Sequence, residues 1–142
     1  MTDHVATAEV DISASPDQVW SALTDPNKLK RYFFGSTVES DWKPGSPVTW
    51  RGEYNGKAFE DRGEVVEAAP HRRLAMTHFS PTTGADDRPE NYHQLAFELD
   101  RKGSSTHVRF TQDNNVSESE AHEAEENWRT MLHGLKELVE RG

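Results

Sequence analysis

Two histidines are the residues of this 142-residue chain whose type and position best suit chemistry. His78 shares one face of a predicted strand with Met76, and His93 shares one face of another with Leu95, because alternate side chains of a strand point the same way. Imidazole titrates near neutral pH and both donates and accepts hydrogen bonds. We therefore expect at least one of the two imidazoles to contact a bound ligand. Acid–base catalysis and a merely polar position at a wet strand end are the alternatives, and we assign no catalytic residue.

Aromatic and other apolar side chains supply the lining that a ligand pocket needs, since most pockets have apolar walls and few polar groups. Aromatic residues on apolar faces usually belong to the core, and we expect about half of the aromatic ones here to do so. Arg51, Asp61 and Glu64 could add polarity, but strand bulges leave their facing open. The predicted ligand-binding set is Trp20, Tyr32, Phe34, Trp50, Phe59, Met76, His78, His93, Leu95, Phe97, Phe110, Trp128, Met131, Leu132 and Leu135.

Several other chemistries lack the residues that they need. The chain has no Cys, which excludes disulfides, thiolate nucleophiles, iron–sulfur clusters and Cys-ligated zinc. His122-Glu123 is not followed by the second His of a His-Glu-x-x-His zinc site. Neither a Gly-x-Ser-x-Gly elbow nor a glycine-rich phosphate loop occurs. We therefore predict no metal and no cofactor.

Charge narrows the range of partners. The chain carries 16 Lys and Arg against 25 Asp and Glu, a formal net charge of −9. Nucleic acids and anionic membranes are bound largely through positive charge, so we expect neither as a partner. The N-terminal residues lack the pattern of a signal peptide, and no apolar run reaches the roughly 18 residues of a membrane helix, so we expect a cytoplasmic protein without membrane insertion. The acidic surface, poor in apolar patches, favours a monomer.

The elements that must position these side chains follow from periodicity. Residues 6–13 alternate between apolar and polar side chains, which predicts a strand. Ser15-Pro16 and Asp25-Pro26 each combine an N-cap residue with a proline at the first helical position, which predicts two short helices in tandem. From Gly35 to Asp113, alternating segments separated by turn sequences such as Asn55-Gly56 predict an antiparallel meander of about six strands.

The C-terminal segment predicts a long amphipathic helix. Ser117 and Glu120 form a capping box, in which each side chain pairs with a backbone N–H of the first turn. Apolar residues then recur at spacings of three and four from Ala121 to Val139, which amounts to about six turns. By contrast, residues 80–90 are rich in Pro, Thr and Asp and predict a long surface loop.

A sheet with one apolar face and a helix with one apolar stripe must bury them against each other. We therefore predict one α+β domain over residues 1–142. A curved antiparallel sheet of about six to seven strands wraps around the long C-terminal helix, and the two short helices after the first strand close one end. A cavity is expected between the sheet and the C-terminal helix.

Six motifs, mostly packing and turn positions, extend over nearly the whole chain. They are ISASPDQVWSALTDP (residues 12–26), LKRYF (29–33), DWKPGS (41–46), GEVVE (63–67), PHRRL (70–74) and Trp128. With these motifs the chain resembles the helix-grip superfamily of START and Bet v 1 domains, also called SRPBCC. It is most similar to the single-domain bacterial branch named after the C-terminal domain of the activator of Hsp90 ATPase.

The resemblance implies a hydrophobic cavity, which accepts lipids, polyketides or other aromatic molecules in different members. Some relatives are cyclases or other enzymes, many only bind, and no catalytic motif is shared by the family. We therefore expect a lipid-like or polycyclic aromatic ligand bound between the sheet and the C-terminal helix. The alternatives are a polyketide cyclase-like or hydratase-like enzyme that uses a cavity His, and a chaperone-interaction module related to Hsp90 ATPase activators.

Overall fold

The structure is a computed structural model that describes residues 4–54, 56–81, 84 and 86–141. Its strands are β1 (His4–Ile12), β2 (Thr37–Glu39), β3 (Pro47–Tyr54), β4 (Lys57–Ala69), β5 (Arg73–His78), β6 (His93–Lys102) and β7 (Ser105–Asn115). Its α-helices are α1 (Pro16–Thr24), α2 (Pro26–Tyr32) and α3 (Glu118–Arg141).

The strands form one antiparallel sheet in the order β1-β7-β6-β5-β4-β3-β2. Strands β2 to β7 are a meander, in which each strand pairs with the next along the chain, and β1 returns beside β7. The predicted α+β fold, with a curved sheet, a long C-terminal helix and two short helices after the first strand, is confirmed.

The predicted caps begin each α-helix. The Gln18 backbone N–H donates to Ser15 Oγ at 3.4 Å, and the Asn27 N–H donates to Asp25 Oδ1 at 2.9 Å. The Glu120 N–H donates to Ser117 Oγ at 3.1 Å at the start of α3. These bonds satisfy N–H groups that have no partner within the helix.

Some predicted turn residues fall outside the described part of the chain. Asn55 is one of them, whereas Gly56 has a φ of +79°, as a tight turn between the paired residues Tyr54 and Lys57 requires. In the predicted loop over residues 80–90, residues 82, 83 and 85 also lie outside the described residues. Pro89–Asn91 form a short 3₁₀-helix there.

The core lies between the inner face of the sheet and the C-terminal half of α3. Met131, Leu132 and Leu135 have no exposed surface and belong to the same buried cluster as Leu95 and Phe110 of the sheet. Helix α3 packs mainly against β1, β7 and the two short helices. The strands beyond β5 therefore lie to one side of the surface against which α3 mainly packs.

Helix α3 also covers the backbone edge of β1. The Thr7 N–H donates to Glu125 Oε2 at 3.0 Å, and the Ser13 N–H, just after β1, donates to Glu140 Oε2 at 2.8 Å. Lys136 Nζ donates to Glu140 Oε2 at 2.7 Å, and this bond, followed by the one from Ser13, lowers the pKa of the Glu140 carboxyl. These carboxylates satisfy N–H groups at a sheet edge that would otherwise be open to another strand.

Strand β4 changes partners along its length. From Lys57 to Glu64 it pairs with β3, and from Val65 to Ala69 it pairs with β5. One further bridge joins Arg62 to Phe79, the residue after β5. At the change, a Cβ on Gly63 would lie 1.7 Å from the Thr77 carbonyl oxygen, so only glycine fits. The first half of β4 and β3 thus form a hairpin that extends beyond β5, which we call the β3–β4 hairpin.

Gly63→Ala should therefore lower the free energy of unfolding by at least about 3 kcal/mol, because the backbone of β5 cannot give way as a flexible side chain could. The matched control is Gly103→Ala, since Gly103 has a φ of +62° but no atom within 4 Å of an added Cβ. The control should cost only about 1–2 kcal/mol from backbone strain. Urea unfolding of both variants checks this, and equal losses would contradict the close approach.

Candidate functional site

A cleft of about 900 Å³ opens between three parts of the fold. One wall is the N-terminal half of α3, the second is the β3–β4 hairpin, and the third is residues 33–36 after α2. Helix α3 packs mainly on β1 and β7, whereas the hairpin extends past β5. The cleft occupies the space that this divergence leaves.

The helical wall presents one face of α3 to the cleft. Glu120, Ala124 and Trp128 follow one another at spacings of four, and Glu123 and Asn127 form the neighbouring row. Ala124 and Trp128 are half-buried, whereas Glu123 and Asn127 are exposed. The cleft wall is therefore apolar towards the core and acidic towards solvent.

Trp128 is held at the inner end of this wall by buried hydrogen bonds. Its Nε1–H donates to Gln112 Oε1 at 2.7 Å. Gln112 Nε2–H donates to Asn115 Oδ1 at 2.7 Å, and Asn115 Nδ2–H donates to the His4 carbonyl oxygen at 2.7 Å. Because Gln112 and Asn115 are buried, losing one of these bonds would leave a buried polar atom without its hydrogen-bond partner.

Three phenylalanines surround the Trp128 ring. The ring centroids of Phe110, Phe33 and Phe34 lie 4.6, 5.7 and 6.2 Å from it. Phe34 is 55% exposed and has a φ of +54°, a left-handed conformation that a bulky residue rarely adopts. Phe34 thus places an exposed aromatic ring at the mouth of the cleft.

The hairpin wall combines aromatic and acidic side chains. Trp50 on β3 pairs in register with Asp61 on β4, and both line the cleft. Phe59 lies on the same face of β4, and its ring fills the space above Gly52, where an added Cβ would lie 2.9 Å away. Trp50 is only 3% exposed, so most of its ring is packed into the fold and only a small part of it faces the cleft.

A histidine at the end of β5 meets a carboxylate of the hairpin wall. His78 Nε2 lies 3.0 Å from Asp61 Oδ2, and the Trp50 ring packs edge-on to the imidazole with centroids 4.8 Å apart. A carboxylate only accepts hydrogen bonds, so Nε2–H is the donor in this bond. Asp61 Oδ1 is buried and has no hydrogen-bond partner among the described residues.

His93 lies beside this pair but does not line the cleft. It stands directly opposite His78 in the β5–β6 register. Its Nδ1 lies 2.8 Å from the Asp113 carbonyl oxygen, and its Nε2 lies 4.0 Å from Glu120 Oε1. The structure therefore brings His78, and not His93, into the cleft wall.

Five residues of the predicted ligand-binding set line the cleft, and the other ten lie elsewhere. Those along the cleft are Phe34, Trp50, Phe59, His78 and Trp128. Those in the core are Met76, Leu95, Phe97, Phe110, Met131, Leu132 and Leu135.

Tyr32 and Trp20 complete the predicted set, away from the cleft. The Tyr32 hydroxyl donates to the Ala22 carbonyl oxygen at 2.6 Å, and burial raises the pKa of this phenol. Half-buried Trp20 packs edge-on to His71, with centroids 6.3 Å apart.

Most polar residues of the cleft escaped the sequence analysis. Glu120 and Glu123 belong to an acidic helix start that is typical of a solvated surface, and only the position of the hairpin makes them wall residues. Gln112 did carry a signal, because it is a polar residue on the same strand face as Val108 and Phe110.

The described residues contain no group of three or more His, Asp or Glu side chains placed to hold a metal ion. Among the described helices, none combines the length and apolar character needed to cross a membrane.

The seven-stranded sheet, the long C-terminal helix and the short helices between them define a helix-grip protein. The chain belongs to the family described as activator of Hsp90 ATPase homolog 1-like protein, whose family model matches residues 13–140. The resemblance of the sequence motifs is thereby confirmed. No curated protein matches the chain significantly in sequence.

Many solved structures share the fold. The solution structure of ChR145 from Cytophaga hutchinsonii is 44% identical, with a TM-score of 0.84 over 96% of this chain and 94% of that chain. The Aha1 dimer from Colwellia psychrerythraea is 24% identical, with a TM-score of 0.73 over 99% and 97%. DynU16, from the dynemicin biosynthetic locus, is 19% identical, with a TM-score of 0.80 over 98% of this chain and 48% of that chain. The last two likenesses show the fold alone.

Trp128→Phe should lower the free energy of unfolding by about 1–3 kcal/mol, because the buried Gln112 Oε1 loses its donor. Trp20→Phe is the matched control, since the Trp20 indole makes no hydrogen bond among the described residues, and it should cost no more than about 1 kcal/mol. Chemical denaturation measures both values. A Trp128→Phe loss no greater than that of the control would contradict a structural role for the indole N–H.

Proposed function

We propose that this protein binds a hydrophobic small molecule, lipid-like or polycyclic aromatic, in the cleft. The observation that carries the proposal is the open volume of about 900 Å³ with aromatic rings on all three walls. Pockets for small molecules commonly have volumes of about 300–1,000 Å³ and mostly apolar walls with a few polar groups. Phe34, Phe59 and Trp128 would supply the apolar contact, and His78 and Asp61 the polar groups.

The ligand would occupy only the N-terminal end of the helix–sheet interface. The C-terminal half of α3 is filled by its own side chains, since Met131, Leu132 and Leu135 are completely buried. We therefore expect the ligand only in the part of the helix–sheet interface that runs from Trp128 towards the N-terminus of α3. Among the structures with this fold, DynU16 comes from a biosynthetic locus, which is consistent with a small-molecule role for such a cleft.

An enzymatic role is the second candidate, and the His78–Asp61 pair favours it. Asp61 would orient the imidazole through the 3.0 Å hydrogen bond, and Nδ1 would accept a proton from a ligand carbon or hydroxyl. A cyclase-like or hydratase-like reaction needs a base of this kind beside an apolar pocket. Binding and catalysis are compatible, because the same aromatic walls would hold the substrate.

Binding can be measured with N-phenyl-1-naphthylamine, a neutral aromatic probe whose fluorescence rises in apolar surroundings. We expect saturable binding with a Kd on the order of 10 µM, and Ala124→Trp should weaken it at least about tenfold by filling the cleft. Thr130→Trp, on the exposed surface of the same helix, is the control and should leave the Kd unchanged. Equal affinities for the two variants would contradict binding in the cleft.

Catalysis can be tested through deuterium exchange at the methyl group of 2-acetylnaphthalene in D₂O, followed by NMR. If His78 Nδ1 removes the α-proton, the protein should accelerate exchange and His78→Gln should abolish at least about nine-tenths of that acceleration. His133→Gln changes an exposed imidazole on α3 and should have no effect. No acceleration by the unaltered protein, or an unchanged rate in His78→Gln, would contradict the second candidate.

A further inference from the structure

We propose that Ser36 anchors the ligand of the cleft through a hydrogen bond between its side-chain hydroxyl and a neutral hydroxyl group of the ligand. This inference rests on the proposed binding function and adds to it the polar group that the ligand carries. It follows from the burial of Ser36, from the unfilled hydrogen-bonding capacity of its Oγ and from the aromatic side chains beside it.

Ser36 is a buried polar residue on the wall of the cleft. It is only 4% exposed, and buried Ser36 and Val38 alternate with the exposed residues Thr37 and Glu39, so Ser36 belongs to the inner face of the sheet. An added Cβ on Gly52 of β3 would lie 3.7 Å from the Ser36 Cα. Ser36 therefore lies beside the part of the hairpin that forms the opposite wall.

The Ser36 hydroxyl has no hydrogen-bond partner among the described residues, whereas its backbone N–H donates to the Phe33 carbonyl oxygen at 3.0 Å. Asp61 Oδ1 is also unpaired but is shielded from solvent, and Ser36 Oγ is not shielded in this way. Because Ser36 lines the cleft and is otherwise buried, its Oγ is reached from the cleft. Polar groups in such positions are almost always hydrogen-bonded, so the occupant of the cleft supplies the partner.

Aromatic side chains make up the wall next to this hydroxyl. Phe33 and Phe34 precede Ser36 in the chain and line the cleft, with ring centroids 5.9 Å apart. The Phe59 ring fills the space above Gly52, on the other side of Ser36. A hydrogen bond in apolar surroundings is stronger than one in water, so a single hydroxyl among these rings can fix the orientation of an apolar ligand.

A neutral hydroxyl is the ligand group that fits this position. A serine hydroxyl donates one hydrogen bond and accepts others, and a ligand hydroxyl can complete either role. A carboxylate would bring its negative charge into a cleft that is also lined by Glu53, Glu120 and Glu123. A hydrocarbon group would displace water from Ser36 Oγ without replacing its hydrogen bond.

The test compares 2-naphthalenemethanol with 2-ethylnaphthalene, two neutral probes that differ by a hydroxyl in place of a methyl group. Displacement of N-phenyl-1-naphthylamine from the whole protein gives the affinity of each probe. Ser36→Ala should weaken binding of the alcohol about three- to tenfold, which corresponds to one hydrogen bond, and should leave the hydrocarbon within about twofold. Ser104→Ala, in the exposed turn between β6 and β7, is the matched control and should change neither affinity.

Urea unfolding distinguishes an anchoring hydroxyl from a structural one. Because the Ser36 hydroxyl makes no hydrogen bond among the described residues, the urea midpoint of Ser36→Ala should be no lower than that of Ser104→Ala. A clear fall in the midpoint of Ser36→Ala alone would mean that the hydroxyl has a partner within the protein, and it would overturn the inference.

Failure of the inference and failure of the proposed function give different results. If Ser36→Ala weakens both probes alike, or weakens neither, the inference is wrong and the binding function stands. The same holds if N-phenyl-1-naphthylamine binds and the alcohol does not displace it. If neither N-phenyl-1-naphthylamine nor either probe binds, the proposed function fails and the inference fails with it.

Discussion

The packing of one long helix against only part of a sheet is the constraint on which the rest of this structure depends. In the C-terminal half of α3, Met131, Leu132 and Leu135 are completely buried. The β3–β4 hairpin extends past the end of β5, because β4 pairs with β3 from Lys57 to Glu64, whereas its ladder with β5 begins at Val65. The N-terminal half of α3 and the hairpin thus face each other across open space. One end of the helix is packed into the core, and the other end borders the open cleft.

Trp128 stands at the boundary between these two ends and takes part in both. Its ring packs on Phe110 of the core, while another part of its surface lines the cleft. Its N–H is tied to Gln112, and Gln112 is tied to Asn115, so the ring cannot swing inward to close the cleft without breaking buried hydrogen bonds. The hydrogen-bond network therefore fixes the position of the Trp128 ring at the edge of the cleft. We interpret the cleft as a result of the way in which α3 packs against only part of the sheet.

Local sequence signals predicted most of the fold, because the caps at Ser15 and Ser117, the alternation of the strands and the stripe of α3 each act within a few residues. The cleft depends on distant contacts, and there the sequence analysis was incomplete. The backbone of β4 at Gly63 approaches Thr77 of β5 too closely for a side chain, and nothing in the neighbouring residues of Gly63 shows this contact. Helical periodicity also cannot show at which residue the apolar stripe of α3 stops packing against the sheet. The predicted set consequently joined residues of the core, such as Leu135, with residues of the cleft, such as Phe59.

Charge distinguishes this cleft from a simple apolar cavity. The acidic start of α3 complements the helix dipole, which explains it without any ligand. Because the acidic start of α3 also lies opposite Asp61, carboxylates lie on both sides of the aromatic rings. The central claim remains that ligands bind at this end of the interface. The most direct measurement is an amide-resolved NMR titration with N-phenyl-1-naphthylamine. The account predicts shifts concentrated in the β3–β4 hairpin, residues 33–36 and Glu120–Trp128. Shifts centred on Met131–Val139, or a well-dispersed spectrum that does not change, would contradict it.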